Sequence, residues 1–224
     1  MSAAPRAVLS WSSGKDCAYA LHICRQQGLA QVEALLTTVN ETHDRVAMHG
    51  TRRALLQAQA AALGLPLIEV PLPFPCPNEV YEARMAEATQ EIAARGITHI
   101  VFGDLFLEDI RRYREEKLEG TGLTAIFPLW ERETLGLARE MQEAGIKARI
   151  VTCDPARVPE SLCGQPWDAA FVAALPEGVD PCGENGEFHT VVTDGPGFAA
   201  PVAHELGEVV LREGYAYADV IPLT

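Results

Sequence analysis

The chain has 224 residues, of which 48% are apolar and 22% are charged, and its 18 basic and 31 acidic side chains give a formal net charge of −13. This composition is typical of a folded globular protein and excludes a disordered or collagen-like chain. The acidic balance disfavours nucleic acid as a partner, because sequence-independent binding comes from Lys and Arg side chains that displace counterions from phosphates.

Strands and helices alternate along the first half of the chain. Apolar runs predict four strands, and helical spacing with end signals predicts a helix after each of the first three. The predicted strands are 6–11, 32–39, 67–70 and 97–102, and the predicted helices are 12–28, 50–63 and 79–95. Such alternation predicts a doubly wound parallel sheet that binds its ligand beyond the carboxyl ends of the strands. The segments 12–17, 37–41 and 103–109 follow those ends and are expected to line one cleft.

The pattern changes near Trp130. Beyond it we predict a helix over 131–144, a strand over 147–153, a loop-rich stretch over 180–197 and a strand-like region over 209–221. We therefore divide the chain into a larger domain, 1–129, and a smaller mixed α/β domain, 130–224.

Neither a membrane segment nor a disulfide framework is expected from this sequence. No apolar run reaches the roughly 18 residues that a membrane-spanning helix requires, and the amino terminus lacks a signal-peptide pattern. The 6 cysteines contain no C-x-x-C pair. We expect reduced thiols in a cytoplasmic protein.

The segment 12–17 joins the first strand to the first helix and has the features of an anion site. Backbone N–H groups and the positive end of the helix dipole favour an anion there, Gly14 permits its close approach, and Lys15 adds a positive charge. A Walker A loop is excluded, since Leu9 and Asp16 stand where that motif has glycine and a hydroxyl residue. The alternative interpretation is an ordinary helix start capped by a serine. It is disfavoured because a lysine in the first turn opposes the helix dipole.

The sequence Ser-Ser-Gly-Lys-Asp-Cys over 12–17 resembles the Ser-Gly-Gly-Lys-Asp-Ser loop of the PP-loop ATP pyrophosphatases, which have a HUP-like fold. Ser13 and Cys17 replace the first loop glycine and the final serine. Two further segments, 103–130 and Gly-Glu-Asn-Gly-Glu-Phe-His-Thr over 183–190, resemble the diphthine-ammonia ligase branch, and the likeness covers nearly the whole chain. In that branch ATP activates a carboxylate on translation elongation factor 2, and ammonia amidates it. Bacterial relatives that lack diphthamide share these motifs.

The resemblance implies a set of ATP-binding residues. They are Ser12, Ser13, Gly14, Lys15, Asp16 and Cys17 in the loop, Thr37 and Thr38 beside the nucleoside, and Gly103 and Asp104 on the other side of the pocket. The loop residues would hold the phosphates that leave as pyrophosphate. Asp16 would orient the loop or bind Mg²⁺.

Three arginines follow in the segment 108–119. One of Arg111, Arg112 and Arg114 is expected to reach the α-phosphate, where a planar donor fork suits the developing charge, and we choose Arg112. The alternative is a solvated helix face on which Arg111 and Arg112 pair with Glu115 and Glu116 at i,i+4 spacing.

The glycine-rich segment 183–190 concentrates polar side chains. We predict that Glu184, Asn185 and Glu187 bind the substrate, with the two carboxylates taking the amine nucleophile or a metal, and that His189 acts as an acid or base. A surface turn is the alternative, because Asn-Gly is a strong turn dipeptide. We interpret His49 as an ordinary histidine, with a nucleotide contact as the alternative.

These residues together predict an ATP-dependent ligase that forms AMP and pyrophosphate. Its catalytic set is Lys15, Asp16, Arg112, Glu184, Glu187 and His189. ATP and Mg²⁺ are the expected cofactors, and ammonia and a carboxylate, carried on a protein or on a smaller molecule, are the expected substrates. A homo-oligomer is compatible with the sequence. Two alternatives stay open: an RNA-thiolating PP-loop enzyme that uses Cys153 and Cys182, and a non-catalytic ATP-binding sensor.

Overall fold

The computed structural model describes residues 3–46 and 49–223. The elements of the first half are β1 (Arg6–Ser10), α1 (Lys15–Gln27), β2 (Gln31–Asn40), β3 (Arg45–Val46), α2 (Arg53–Leu63), β4 (Leu67–Leu72), α3 (Asn78–Ala94), β5 (His99–Val101), α4 (Glu108–Leu118) and β6 (Thr124–Ile126). Within the described residues, no helix is both long and apolar enough to cross a membrane.

Five parallel strands form the central sheet in the order β4-β2-β1-β5-β6, and β3 adds a short antiparallel pairing to β2. The chain runs outward from β1 to β2 and β4 and then returns to β5 on the other side of β1. The strand order therefore reverses between β1 and β5, and ligands of open α/β sheets bind beyond the carboxyl ends of the strands at such a point.

Helices cover both faces of this sheet. The side chains of β1 point alternately to the two faces and pack in two different apolar clusters. Ala7 and Leu9 are fully buried with residues of α1 and α2, including Leu21. Val8 is fully buried on the opposite face with residues of α3 and α4, including Ile92. Burial on both faces explains the uninterrupted apolar runs of these strands and confirms the predicted doubly wound architecture.

The second half forms a four-stranded antiparallel sheet in the order β8-β7-β10-β9. Its elements are α5 (Thr134–Glu143), β7 (Lys147–Cys153), a 3₁₀ turn (Glu160–Leu162), α6 (Ala169–Ala174), β8 (Phe188–Asp194), β9 (His204–Arg212) and β10 (Tyr215–Pro222). One detail of the sequence prediction is wrong: the stretch 180–197, predicted to be loop-rich, contains the strand β8. The strand-like region 209–221 is confirmed, since it comprises the end of β9 and most of β10, which form a hairpin.

The two sheets are joined at the segment that follows β1. Val192 of β8 donates its backbone N–H to the Ser13 carbonyl at 2.9 Å. The buried Gln59 side chain donates to the same carbonyl and to the Val192 carbonyl, at 3.1 and 2.7 Å. One apolar cluster contains residues from both halves of the chain. The division at residue 130 stays a prediction.

Candidate active site

The segment that follows β1 has an unusual backbone conformation. Ser13 has a φ of 72°, the left-handed region that favours glycine. Gly14 precedes α1 without any side-chain cap, so the interpretation as an ordinary serine-capped helix start is wrong. In the described part of the chain, no hydrogen-bond partner is found for the backbone N–H groups of Ser13 and Cys17. Such donors at a helix N-terminus are suited to an anionic ligand.

Lys15 is the most constrained side chain of the loop, with 1% of its surface exposed. Its ammonium donates to both carboxylate oxygens of Asp16, at 2.9 and 2.8 Å, and to the Cys182 carbonyl. It also lies 5.3 Å from the ring centre of Trp167 and 5.8 Å from that of Phe188. Burial alone would lower the pKa of Lys15, but the charge and hydrogen bonds of Asp16 raise it. The ammonium is therefore charged and fixed.

A cavity of about 190 Å³ opens beside this lysine, between the two halves of the chain. It is lined by Ser10, Ser12, Lys15, Asp16, Cys17, His49, Phe102, Gly103, Asp104, Arg114, Cys182, Gly183, Glu184, Phe188, His189 and Thr190. Gly103 is required here, since a Cβ on it would lie 2.9 Å from the backbone carbon of Asp16 and from the nitrogen of Cys17. The residues predicted from the loop, from the end of β5 and from the segment 183–190 thus meet in one place.

Glu184 is the one cavity carboxylate without a cationic partner among the described residues, since Asp16 pairs with Lys15 and Asp104 with Arg114. Its Oε1 accepts a hydrogen bond of 2.7 Å from the Leu105 N–H. Burial, followed by the charges of Asp16 and Asp104, raises the pKa of Glu184 to about 7. A carboxyl group with this pKa exchanges protons readily near neutral pH.

His189 lines the cavity as an uncharged imidazole. Burial and the charge of Lys15 lower the pKa of His189 to about 4, so its imidazole is uncharged at pH 7. Its ring centre lies 4.6 Å from that of His49, which we interpreted as ordinary and which lines the same cavity. Burial and the neighbouring His189 lower the pKa of His49 to about 3, and its Nδ1 lies 3.2 Å from the Thr190 carbonyl oxygen.

The arginine that faces the cavity is Arg114. Its guanidinium pairs with the Asp104 carboxylate through contacts of 2.9 and 3.0 Å and lies 4.5 Å from the ring centre of Phe102. Arg112, the arginine predicted to reach the α-phosphate, is exposed and lines neither cavity, because it projects from another side of α4. Arg111 forms the expected pair with Glu115 at 2.9 Å.

A second cavity of about 740 Å³ adjoins the first. The two share Ser10, Ser12, His49, Phe102 and Arg114 as lining residues. The larger cavity extends between the sheet and the helices α3 and α4, and it is lined by Thr37 and Thr38, for which a nucleoside contact stays a prediction. The Thr37 hydroxyl, however, donates to the Trp11 carbonyl at 2.6 Å, so this side chain braces the strand ends.

Five predicted site residues lie outside both cavities: Arg112, described above, and Ser13, Gly14, Asn185 and Glu187. Glu187 is fully buried, and its Oε1 accepts from Arg157 at 2.9 Å and from Asn185 at 3.1 Å, so it stabilises the turn. Asn185 is exposed beside it. The Ser13 hydroxyl donates to Thr51 at 2.8 Å inside the protein, which leaves only its backbone for a ligand.

The cysteine pair of the RNA-thiolation alternative is not assembled. Cys153 is fully buried, lines neither cavity and lies against the Cys163 thiol. Cys182 lines the smaller cavity, but its thiol donates to the Thr134 carbonyl and burial raises its pKa. Over residues 3–46 and 49–223, no group of three or more His, Cys, Asp and Glu side chains is placed to hold a metal ion by itself.

Comparison with known proteins identifies relatives of both halves. The family model described as "Diphthamide synthase N-terminal domain" matches residues 5–125, and "Diphthamide synthase C-terminal domain" matches residues 133–215. The chain is 31% identical to the diphthine–ammonia ligases of Homo sapiens and Bos taurus, and 29% identical to that of Rattus norvegicus, each over 120 residues. These matches cover 51% of this chain and 45% of each relative, so the chain spans less than half the length of these curated relatives.

Proposed function

The chain belongs to the diphthamide synthase family, and from this premise we propose that it is an ATP-dependent carbon–nitrogen ligase. It adenylates a substrate carboxylate with release of pyrophosphate and then transfers ammonia to the activated acyl group. The observation that carries the proposal is the meeting of the loop residues, Lys15 and Asp16, with Glu184 and His189 in one cavity beside a larger one.

The two adjoining cavities suit an extended nucleotide. The nucleoside occupies the larger one, and the triphosphate lies in the smaller one, where Lys15 and Arg114 provide the positive charge and the loop provides free N–H donors. In the first step a carboxylate oxygen bonds to the α-phosphorus while the bond between that phosphorus and the bridging oxygen breaks. Pyrophosphate leaves, and the acyl-adenylate stays between the two halves of the chain.

Glu184 and His189 serve the second step. Ammonium has to lose a proton before its nitrogen can attack the acyl carbon, and we assign Glu184 as the group that accepts it, with the uncharged His189 as a hydrogen-bond partner of the nucleophile in the same cavity. With a pKa of about 7, Glu184 is a suitable base at neutral pH, and its charged form also attracts ammonium. As the carbon–nitrogen bond forms, the bond from the acyl carbon to the AMP oxygen breaks, and AMP leaves.

The charges that line the smaller cavity support Mg²⁺ as the companion of ATP. Three carboxylates, Asp16, Asp104 and Glu184, exceed the two cations, Lys15 and Arg114. A triphosphate alone would add to this excess, whereas Mg²⁺ is commonly bound by phosphates with one or two carboxylates. Asp16 or Asp104 would hold the ion, and its charge would offset that of the phosphates.

The names of the relatives suggest the substrate class. They are ligases that join diphthine and ammonia, and we propose a carboxylate of this kind for the present chain. Because the names of these relatives print ammonia as the nitrogen substrate, ammonium is the nitrogen donor to test first.

The test is the identity of the nucleotide product. The protein is incubated with MgATP, ammonium chloride and size-separated fractions of its own cell extract, and the products are separated by ion-exchange chromatography. AMP and pyrophosphate, formed only with an active fraction, support the proposal, and that fraction identifies the substrate as a protein or a metabolite. ADP, or tight ATP binding without turnover in any fraction, would refute it and favour the sensor alternative.

A further inference from the structure

The edge of the antiparallel sheet is unusually exposed. β9 is the outermost strand, and seven of its nine residues are exposed. Leu206, Val209 and Leu211 are 47%, 44% and 59% exposed. Natural proteins protect such edges, because unpaired N–H and C=O groups beside apolar side chains invite another strand.

These apolar side chains continue the inner face of the sheet. Val209 pairs with Ala218 and Leu211 with Ala216 across the β9–β10 ladder. Side chains of directly paired residues lie on the same face, and both alanines are buried in the core. The core-facing surface therefore extends past the edge of the core without a cover from the described residues.

We propose that a second copy of this chain covers this edge, with β9 pairing antiparallel to β9 of the partner about a two-fold axis. Such an axis is perpendicular to the sheet. It places one residue of β9 opposite the same residue of the partner's β9, and this choice fixes all other residue pairs across the interface. If Val210 lies opposite Val210 of the second copy, then Val209 of one copy faces Leu211 of the other, and Glu208 of one copy faces Arg212 of the other. The two-fold axis makes each of these pairs occur twice. The two four-stranded sheets become one sheet of eight strands.

Charge selects this register over its neighbours. With Glu208 on the axis, two carboxylates would face each other, and with Val209 on the axis, Glu205 would face Glu213. Only the Val210 register joins opposite charges, and like charges directly opposite are destabilising. Neither Glu208 nor Arg212 has an ion-pair partner among residues 3–46 and 49–223, so both are available for this contact.

A charge-reversal cycle tests the interface. The dissociation constant of the dimer is measured by sedimentation velocity for the full chain and for Glu208→Arg, Arg212→Glu and the double variant. We expect the unmodified chain to form a dimer. Each single reversal should raise the dissociation constant about tenfold or more, because it affects two pairs. The double variant should recover the dissociation constant of the unmodified chain. Val209→Lys is expected to dissociate the dimer, whereas Leu135→Lys, at an exposed position of α5 away from β9, is the matched control.

Circular dichroism at each step establishes that the variants are folded. A chain that is monomeric at all concentrations would overturn the proposal. A dimer that neither the charge reversals nor Val209→Lys weakens would overturn it as well, since its interface would then lie elsewhere. Loss of the dimer in the double variant would exclude the Val210 register.

Discussion

Replacing Glu184 by Gln separates the acid–base role of this carboxyl group from its structural role. The Gln side chain keeps an oxygen that can accept the Leu105 N–H, as Glu184 Oε1 does at 2.7 Å. It removes the charge that burial and the neighbouring carboxylates disfavour. We therefore expect Glu184→Gln to bind ATP and to lose ligase turnover, while its folded state becomes more stable at alkaline pH.

The size and sign of the stability change follow from the pKa of Glu184, which is raised from 4.5 to about 7 in the folded protein. Because the folded state holds this proton more tightly than the unfolded state, stability falls as pH rises from 4.5 to 7. At about 1.36 kcal/mol for each unit of displacement, the full penalty above pH 7 is about 3 kcal/mol. Glu184→Gln carries no such penalty.

Urea unfolding of the wild type and of Glu184→Gln at pH 5 and pH 8 measures the effect. The stability of the variant relative to the wild type should increase by about 2 to 3 kcal/mol between the two pH values, since part of the penalty is already present at pH 5. Glu213→Gln, at the exposed β9–β10 turn, is the matched control. A relative stability that does not change with pH would refute the assignment of Glu184 as a buried carboxyl with a raised pKa.

Three further substitutions test the geometry of the site. Gly103→Ala should weaken ATP binding at least tenfold in calorimetry, because its Cβ meets the loop backbone at 2.9 Å, whereas Gly136→Ala meets only the flexible end of a side chain and should bind ATP normally. Arg114→Ala should reduce turnover at least tenfold, or ~1.4 kcal/mol of transition-state stabilisation, and Arg112→Ala should leave it unchanged; equal effects would contradict the orientation of α4. Ser13→Gly should be about 1–2 kcal/mol more stable than Ser13→Ala in urea unfolding, because both lose the same hydroxyl and only alanine keeps the left-handed strain; equal stability would show that position 13 is unstrained.

The parts of the site on regular elements were predictable from the sequence. An apolar run followed by Gly14 and Lys15 indicates a strand, an anion-binding turn and a helix, and the parallel sheet then brings Gly103 to the same edge. The shortest strands could not be predicted from the sequence. β3 has two residues and β6 three, and their sequences are too short for a period to be recognised.

The direction in which a side chain points could not be predicted from the sequence for several site residues. Glu184 and Glu187 are three residues apart in a glycine-rich turn without a repeating period, so the sequence does not reveal that one enters the cavity and the other is enclosed in the turn. On α4, i,i+4 spacing correctly indicated the Arg111–Glu115 pair. It did not indicate which face of that helix meets the sheet, and hence that Arg114 rather than Arg112 reaches the cavity.

The coupling of nucleotide cleavage to amide formation is the central claim of this account. It is measured most directly with MgATP, [¹⁵N]ammonium and the active extract fraction, by quantifying AMP and the ¹⁵N incorporated into the product by mass spectrometry. We predict one ¹⁵N atom incorporated for each AMP released, with both lost in Gly103→Ala and both retained in Gly136→Ala. AMP released without incorporation of ¹⁵N, or ADP as the product, would contradict the account.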